Sequence, residues 1–184
     1  NVFRDINIAF ISELSIMFEK LGIDTMKVLD AAKKKYNFQI HYPGAGVGGP
    51  CLPINSYQLL NSAKRAGVKL SMIESGRRIN ENMPDHVVKL TSDAFKKSNK
   101  SLQNSDILIL GVSYKPNVKD IQLSPAEKII KKLQNLGTNV HVYDPYFSSE
   151  NVFGIKVEDN LDDILPKMDA AIIVTSHDDF KKIK

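Results

Sequence analysis

Apolar residues at the start of the chain recur with the period of an α-helix. They follow one another at three- and four-residue steps, as Phe3, Ile6, Phe10, Leu14, Met17 and Leu21. Other apolar residues widen this stripe almost around the helix, so we expect it to be buried on several sides or to pack against a partner chain. Gly22 is expected to end this helix. The pattern predicts a long first helix over residues 3–21.

Helical spacing continues, with interruptions, through the first half of the chain. A short helix is expected after Asp24, its N-cap, and longer ones over residues 57–66 and 70–97. Pro84 should kink or restart the last of these. Residues 36–50 lose all periodicity and are rich in glycine and proline, which is typical of an irregular loop.

Beyond a polar, aperiodic stretch at residues 98–105, apolar runs typical of strands alternate with helical segments. The expected order is strand, helix, strand, helix, strand, over residues 107–112, 125–136, 140–143, 161–165 and 170–174. Uninterrupted apolar strands joined by helices predict a parallel sheet covered on both faces. We therefore expect an α/β protein, with an all-helical region over residues 1–98 and a Rossmann-like domain over residues 99–184.

Ligands of such sheets bind at the C-terminal ends of the strands. This rule places three groups of residues on the functional rim, namely Ser113, Tyr114 and Lys115, then Asp144 and Pro145, then Thr175, Ser176 and His177.

Composition narrows the class of protein. Apolar residues make up 42% of the chain and charged residues 25%, which is ordinary for a soluble globular protein. The longest uncharged apolar stretches, such as residues 6–12, are too short to span a membrane, and no secretory signal opens the chain. A single cysteine excludes an internal disulfide and a cysteine-based zinc site, so we expect no metal and a reducing, cytoplasmic location.

The basic excess is confined to the first half of the chain. Residues 1–100 hold 15 Lys and Arg against 9 Asp and Glu, whereas residues 101–184 hold 10 against 12. A local excess of +6 can attract an anion such as a phosphate or a nucleotide. Basic residues do not cluster with aromatic ones, so nucleic-acid binding is not expected.

The most informative segment is the glycine-rich loop around the single cysteine, Cys51. Glycines let backbone N–H groups approach a ligand, and a cysteine just before a helix meets the positive end of the helix dipole. Such a position favours the nucleophilic thiolate. Equally, a lone cysteine can be a small buried hydrophobe beside a turn. The residues alone leave both readings open.

The whole string Gly48-Gly49-Pro50-Cys51-Leu52-Pro53 resembles the active-site loop of the nucleotide-sugar 6-dehydrogenases, the UDP-glucose/GDP-mannose dehydrogenase family. Four further segments carry the resemblance, namely residues 1–14, residues 41–44, Arg77 to Pro84, and residues 111–126 with Val142-Tyr143-Asp144-Pro145. The first two are similar to the N-acetylmannosamine branch. The resemblance covers essentially the entire chain.

The resemblance implies a double oxidation with NAD as the cofactor. The C6 alcohol of a UDP-sugar is oxidised to the aldehyde, and the thiolate of Cys51 adds to it as a thiohemiacetal. A second oxidation gives a thioester, which water hydrolyses to the uronate. A covalent adduct of this kind holds the reactive aldehyde for the second oxidation.

Site residues follow from the resemblance by position. Cys51 and Asn1 are expected to be catalytic, Asn1 through an amide that holds an oxyanion or water, with Asn55 beside them. Substrate binding is expected of Arg4, His41, Gly46, Gly48, Gly49, Arg77, Tyr114 and Lys115. Five of them have a plainer alternative: Asn1 can be a frayed terminus, the two arginines can form ion pairs, His41 can satisfy loop carbonyls, and Lys115 can be solvated.

Three departures from the family pattern qualify this expectation. The NAD-binding N-terminal domain and the family's catalytic lysine are absent from this chain, which also ends early for the family. Asn55 stands where the family usually has an aspartate, and an amide cannot accept a proton as a carboxylate does. Gln122 stands where an arginine commonly reaches toward the cofactor, so any contact that Gln122 makes with the cofactor is expected to be weak.

We therefore expect the central and UDP-binding portions of an NAD-dependent UDP-N-acetylmannosamine 6-dehydrogenase, inactive as this chain alone. The two-sided first helix predicts a homodimer through residues 1–30. The alternatives are a non-catalytic UDP-sugar-binding or scaffolding paralogue, and a dehydrogenase for another UDP-sugar such as UDP-glucose. A C3- or C4-modifying sugar enzyme is a further alternative, but it has no use for the thiol.

Overall fold

The structure, a computed structural model, describes residues 1–183, and of Lys182 only the backbone. The chain divides into two compact units. The first, the helical unit, consists of Asn1–Val47 and Cys51–Met83, and the second, the sheet unit, consists of Gly48–Pro50 and the residues from Pro84 onward. The last residue of the predicted domain, Lys184, lies outside the described residues.

The helical unit contains α1 (Val2–Leu21), α2 (Thr25–Ala32), α3 (Leu52–Arg65) and the first half of α4 (Ser71–Lys97). The signals read from the sequence act where expected. Gly22 ends α1 in the left-handed conformation, and the carboxylate of Asp24 accepts the backbone N–H groups of the first turn of α2.

Helix α1 buries a different face from the one that its apolar stripe suggests. Its buried residues are Asp5, Ala9, Ile11 and Ser12. Much of the predicted stripe is exposed instead, including Phe3, Phe10, Met17 and Leu21. The helix therefore packs one mixed face inside its own unit and presents an apolar face to its surroundings.

Helix α3 is longer, and helix α4 more continuous, than the periodicity predicts. Helix α3 begins five residues earlier, directly after Cys51, because Pro53 is tolerated in a first helical turn. Helix α4 continues through Pro84 without restarting. The two units meet in sequence within α4, at Pro84, and not at the polar stretch 98–105, because the second half of α4 packs with the sheet unit.

The sheet unit is built on a parallel sheet with strand order β2-β1-β5 in the described part of the chain. Its elements are β1 (Asp106–Leu110), α5 (Pro125–Asn135), β2 (Asn139–Tyr143), a small antiparallel ribbon of β3 (Asn151–Val152) and β4 (Ile155–Lys156), α6 (Leu161–Ile164), β5 (Ala170–Ile173) and 3-10 turns at Leu165–Lys167 and Asp178–Lys182. This confirms the prediction of a helical region followed by a Rossmann-like parallel sheet.

The core of the sheet unit follows the alternation of the strands. Leu108 and Leu110 pack with Phe180 and with half-buried residues of α6. Their neighbours in β1 point to the other face, and α5 contributes a fully buried apolar stripe, Ile129, Ile130 and Leu133.

Strand β5 differs from the expected buried strand. It pairs with β1 on one side and forms an edge of the sheet among the described residues. Ile173 is 58% exposed as a result. No helix in the described range is both long and apolar enough to cross a membrane.

Candidate functional site

Cys51 is the N-cap residue of α3, and its thiol is exposed. The backbone carbonyl of Cys51 accepts the N–H of Asn55 at 2.9 Å, the first bond of the helix. Free backbone N–H groups and the positive end of the helix dipole lie at this position. The exposed thiol excludes the alternative of a buried hydrophobe and leaves the sulfur accessible to an electrophile.

The glycines before Cys51 are required by close packing within the sheet unit. A Cβ on Gly48 would lie 2.3 Å from the backbone oxygen of Leu123, and one on Gly49 would lie 2.6 Å from the ring of Tyr114. Gly49 also has a φ of +85° and donates its N–H to the carbonyl of Gln122 at 2.8 Å. Residues 48–50 are thus pressed against the loop that follows β1.

That loop, residues 111–124, is internally braced. Gly111 has a φ of +82°, and a Cβ there would lie 2.4 Å from the carbonyl oxygen of Thr175. The N–H of Tyr114 donates to the carbonyl of Asp120 at 2.9 Å. Lys115 is exposed and stands over the Tyr114 ring, with 5.5 Å between its Nζ and the ring centroid. The loop therefore offers an ammonium group and an aromatic ring side by side.

The predicted rim of the sheet proves to be two layers. Lys115 and Ser176 are exposed, and Tyr114 and Pro145 are half-buried. The remaining four residues lie beneath them, buried, namely Ser113, Asp144, Thr175 and His177. The first layer can contact a ligand, and the second supports it.

Asp144 and His177 form the centre of the buried layer. One carboxylate oxygen of Asp144 accepts the N–H of Val112 at 2.8 Å and lies 3.1 Å from Nε2 of His177. The other accepts the N–H of Tyr146 at 2.9 Å. These bonds join the C-terminal ends of β1, β2 and β5 at one point.

Asn1 is the exposed N-cap of α1, and one turn further Asp5 is buried. Asp5 accepts hydrogen bonds from Ser56 Oγ at 2.7 Å, from Arg77 NH1 at 2.8 Å and from Asn80 Nδ2 at 2.7 Å. Three helices, α1, α3 and α4, are thus held by a single carboxylate. The exposed amide of Asn1 is free to act as the resemblance implies.

Arg77 belongs to this buried network. Its second terminal nitrogen lies 3.2 Å from Glu81, and its guanidinium stands over the ring of Tyr57. Burial lowers the pKa of Arg77, but the charge of Asp5 and the hydrogen bonds to Glu81 and Asp5 raise it by more, so the group stays protonated. Both terminal nitrogens already face carboxylates, which favours a structural role over the predicted substrate contact.

The other predicted substrate contacts are distributed unevenly. Arg4 is exposed, and Gly46 is half-buried with a φ of +135°. His41 is buried, with its Nδ1 3.1 Å from the carbonyl oxygen of Gln39 and its ring edge-on to Phe3. The plainer alternative for His41, that it satisfies a loop carbonyl, agrees with this geometry.

The two residues that depart from the family pattern are placed as follows. Asn55 is half-buried in the first turn of α3, four residues after Cys51. Gln122 is exposed, and its backbone is fixed by Asp120 and Gly49. Its exposed side chain can contact a ligand, but through a neutral amide where the family commonly has a charged arginine.

The sequence did not reveal the buried polar residues of α1 or the conformation of Asn117. Asp5 and Ser12 lie at four- and three-residue steps from Ala9, so they share its helix face, and this spacing was the available signal for burial. Asn117 has a left-handed φ of +62°, which a sequence cannot show.

The described residues do not form a site for a dinucleotide at the first strand of the sheet. Such a site needs a short glycine-rich turn from a strand directly into a helix. Here 14 residues, 111–124, separate β1 from α5, and only Gly111 among them is a glycine. The NAD that the family implies is therefore not assigned to these residues.

Comparison with known proteins establishes the family. Residues 1–82 match the model of the UDP-glucose/GDP-mannose dehydrogenase family, central domain, and residues 108–184 match that family's UDP binding domain. The chain belongs to the UDP-glucose/GDP-mannose dehydrogenase family.

Individual relatives agree with this. The chain is 34% identical over its whole length to the UDP-N-acetyl-D-mannosamine dehydrogenase of Pyrococcus horikoshii and to the UDP-N-acetyl-D-glucosamine 6-dehydrogenase of Salmonella typhi. It covers 41% and 43% of those proteins, so it spans about two fifths of their length.

Solved structures show the same fold. The Pyrococcus horikoshii enzyme superposes over all of this chain with a TM-score of 0.90, and the chain covers 42% of it. An NDP-N-acetyl-D-galactosaminuronic acid dehydrogenase from Methanosarcina mazei, 29% identical, superposes over the whole chain with a TM-score of 0.92, and the chain covers 41% of it.

Proposed function

We propose that this chain is the central and UDP-binding portion of an NAD-dependent UDP-N-acetyl-D-mannosamine 6-dehydrogenase. The observation that carries the proposal is the exposed thiol of Cys51 at the start of α3, within a family of nucleotide-sugar dehydrogenases. NAD supplies the hydride acceptor for both oxidations and is held by the complete protein. The chain alone is expected to bind UDP-sugars without turning them over.

Cys51 carries the covalent step. Its thiolate adds to the C6 carbonyl carbon of the aldehyde, and the carbonyl oxygen takes up a proton to give the thiohemiacetal. After C6 has lost a second hydride and the oxygen its proton, the carbon is a thioester. Water then attacks the thioester carbon and the thiolate leaves, which regenerates Cys51.

The remaining proposed roles divide between the two units. In the helical unit, Asn1 holds the oxyanion or the attacking water, while Asn55, Arg4 and Gly46 adjoin the reacting sugar. In the sheet unit, Lys115 contacts the diphosphate of the nucleotide and Tyr114 packs against it, with Gly48 and Gly49 alongside. Gln122 makes a weak contact with the cofactor.

The test uses the complete protein with a panel of UDP-sugars and NAD. We expect two NADH per sugar, with UDP-N-acetylmannosamine as the preferred substrate, and Cys51→Ala should reduce the yield of uronate to background. Asn61→Ala, at an exposed position of the same helix, serves as the matched control and should leave turnover unchanged. Cys51 is the single cysteine of this chain, so its alkylation by iodoacetamide can be followed directly in the chain alone, and bound UDP-sugar should slow it.

A yield of uronate that is the same in Cys51→Ala as in the parent protein contradicts the covalent role. A preference for another UDP-sugar, such as UDP-glucose, contradicts only the assignment of the substrate. Each outcome is distinct, because product identity and NADH stoichiometry are measured on the same samples.

A second candidate is a UDP-sugar-binding protein that does not oxidise its ligand. Asn55 and Gln122 favour it, since amides stand where the family has a carboxylate and an arginine. Binding of UDP-sugars without NADH formation would support this candidate. Two NADH per sugar would exclude it.

We also propose a homodimer formed through residues 1–30 and a cytoplasmic location. The dimer is supported by the apolar face of α1, where Phe3 is 64% exposed and Leu21 is 63% exposed. An exposed apolar stripe of this kind is typical of a protein–protein contact.

A further inference from the structure

The imidazole of His177 is fully buried and is bonded through both of its nitrogens. Its Nε2 lies 3.1 Å from Oδ2 of Asp144, and its Nδ1 lies 2.9 Å from the backbone nitrogen of Asn117. The rings of Tyr146 and Phe180 pack against it, with centroid distances of 5.0 Å and 5.4 Å. The proposed mechanism makes no use of this group.

The partners of His177 fix its protonation. A backbone N–H can only donate, so Nδ1 must be the unprotonated nitrogen that accepts from Asn117. The proton is then on Nε2, which donates to Asp144. Asp144 accepts three further backbone N–H groups, from Val112, Ser113 and Tyr146, as an ionised carboxylate does. His177 is therefore neutral and held in one tautomer.

The bond from Asn117 anchors the loop that carries Lys115 and Tyr114. Asn117 has a left-handed φ of +62°, and its side chain exchanges two hydrogen bonds with Asp178, at 2.8 Å and 3.0 Å. The opposite side of the loop is closed by the bond from Tyr114 N–H to Asp120. The exposed ammonium of Lys115 thus stands between two fixed points.

We propose that His177 is a positioning residue for the uridine nucleotide, acting through Asn117 on the loop of Lys115 and Tyr114. The proposal rests on the proposed function, in which that loop binds the UDP moiety. A loop held in its binding conformation loses less entropy when the ligand binds. The acceptor nitrogen Nδ1 is the atom that provides this effect.

Two substitutions separate this role from a merely structural one. The side-chain amide of asparagine reaches about as far as Nδ1, so His177→Asn keeps an acceptor for Asn117 and loses the donor to Asp144. The amide of glutamine reaches about as far as Nε2, so His177→Gln keeps the donor to Asp144 and loses the acceptor. The proposed positioning role depends on the hydrogen bond from Asn117 to residue 177. The stability of the buried Asp144 carboxylate depends on the hydrogen bond that residue 177 donates to it.

We expect calorimetric titration of the complete protein with UDP to give about tenfold weaker binding in His177→Gln. His177→Asn should bind within about threefold of the parent protein while showing the lower thermal midpoint, because it leaves a buried carboxylate with one donor fewer. The proposal is overturned if UDP binding is weakened in His177→Asn and not in His177→Gln, or if all three proteins bind UDP with equal affinity.

Two further measurements keep the test independent of whether the variants fold and whether UDP binds. Nitrogen-15 spectra of the parent protein should show an unprotonated Nδ1 in His177, and a protonated Nδ1 overturns the proposal. Amide exchange at Asn117 should be slow in the parent protein and in His177→Asn and fast in His177→Gln, and equal rates overturn it. If Lys115→Ala leaves UDP binding unchanged, the proposed nucleotide site is wrong. The rates of amide exchange at Asn117 still test whether His177 anchors the loop.

Discussion

Asp5 and Arg77, 72 residues apart in sequence, form a buried ion pair with 2.8 Å between Oδ1 and NH1. Their side chains are 1% and 5% exposed. Ser56 and Asn80 supply further donors to the same carboxylate, so the negative charge is well compensated. The arginine Nε and the asparagine Oδ1 have no hydrogen-bond partner among the described residues. The pair therefore joins α1 to α4 at the centre of a buried hydrogen-bond network.

Removing one partner of this pair should destabilise the protein strongly. Asp5→Asn leaves a buried guanidinium without its main counter-charge, and we expect a loss of about 3–5 kcal/mol in the free energy of unfolding, measured with urea. Ser56→Ala removes one neutral donor and should cost about 1 kcal/mol. In Asp5→Leu combined with Arg77→Met, the loss should be smaller than the sum of the two single losses.

The matched control is the exposed pair of Asp30 and Lys33, whose side chains are 59% and 53% exposed. Asp30→Asn should change stability by less than about 0.5 kcal/mol, because solvent screens such pairs. If Asp5→Asn is as mild as this control, the network does not hold the helices together.

Two glycines of the cysteine loop should respond very differently to alanine. Gly49→Ala forces a side chain into a left-handed conformation, at about 1–2 kcal/mol, and sets its Cβ 2.6 Å from the Tyr114 ring, which adds to that loss. Tyr114→Ala in the same protein should recover the part due to overlap and leave the conformational part. The measurement is urea unfolding.

Gly44→Ala is the control for that pair of variants. No atom lies within 4 Å of a Cβ built at Gly44, and its φ is outside the left-handed range. We expect a change within about 0.5 kcal/mol. Equal effects of Gly44→Ala and Gly49→Ala would mean that the loop does not press against Tyr114 in solution.

Asp85 should make stability depend on pH in the acid range. Burial raises the pKa of Asp85, but the hydrogen bonds and charges of Lys132 and Lys128 lower it by more, so its pKa lies below the ordinary 3.8. A lowered folded-state pKa contributes stability that is present above the unfolded pKa and is lost as pH falls through the folded pKa. The side chain of Asp85 is 42% exposed, so solvent screening limits the contribution to a few tenths of a kcal/mol.

The measurement is a carboxyl NMR titration together with urea unfolding from pH 6 downward. Asp85→Asn should be less stable than the parent at pH 6, and the difference should vanish below the folded pKa. Lys132→Met should raise the pKa of Asp85 by removing one of its two cations. If the stability difference between Asp85→Asn and the parent protein grows toward low pH, the lowered pKa of Asp85 is contradicted.

The exposed face of α1 should control the oligomeric state. Phe10 is 53% exposed at the middle of this face. Phe10→Glu introduces a charge that cannot be buried in an apolar contact, so sedimentation should show monomers where the parent protein forms dimers. Leu136→Glu, at a 47% exposed apolar position of the sheet unit, should leave the dimer intact. Monomers in the unsubstituted protein would remove the proposed dimer.

Local signals in the sequence predicted much of the architecture. Periodicity gave the order of helices and strands, Gly22 and Asp24 marked helix ends, and apolar runs indicated a parallel sheet. The motif around Cys51 indicated a cysteine at a helix start. These features depend on residues within a turn or two of each other, and for that reason a sequence expresses them directly.

The sequence by itself determined the helices, the parallel strands and the family. Only the tertiary structure decided which face of α1 is buried, with Asp5 inside and Phe10 outside, and that His177 supports the rim of the sheet from beneath. A charged or polar side chain can be buried only when partners from distant segments compensate it, as Arg77 and Asn117 do here. Helical spacing shows that a face exists, but the partners that bury it are brought together only by folding.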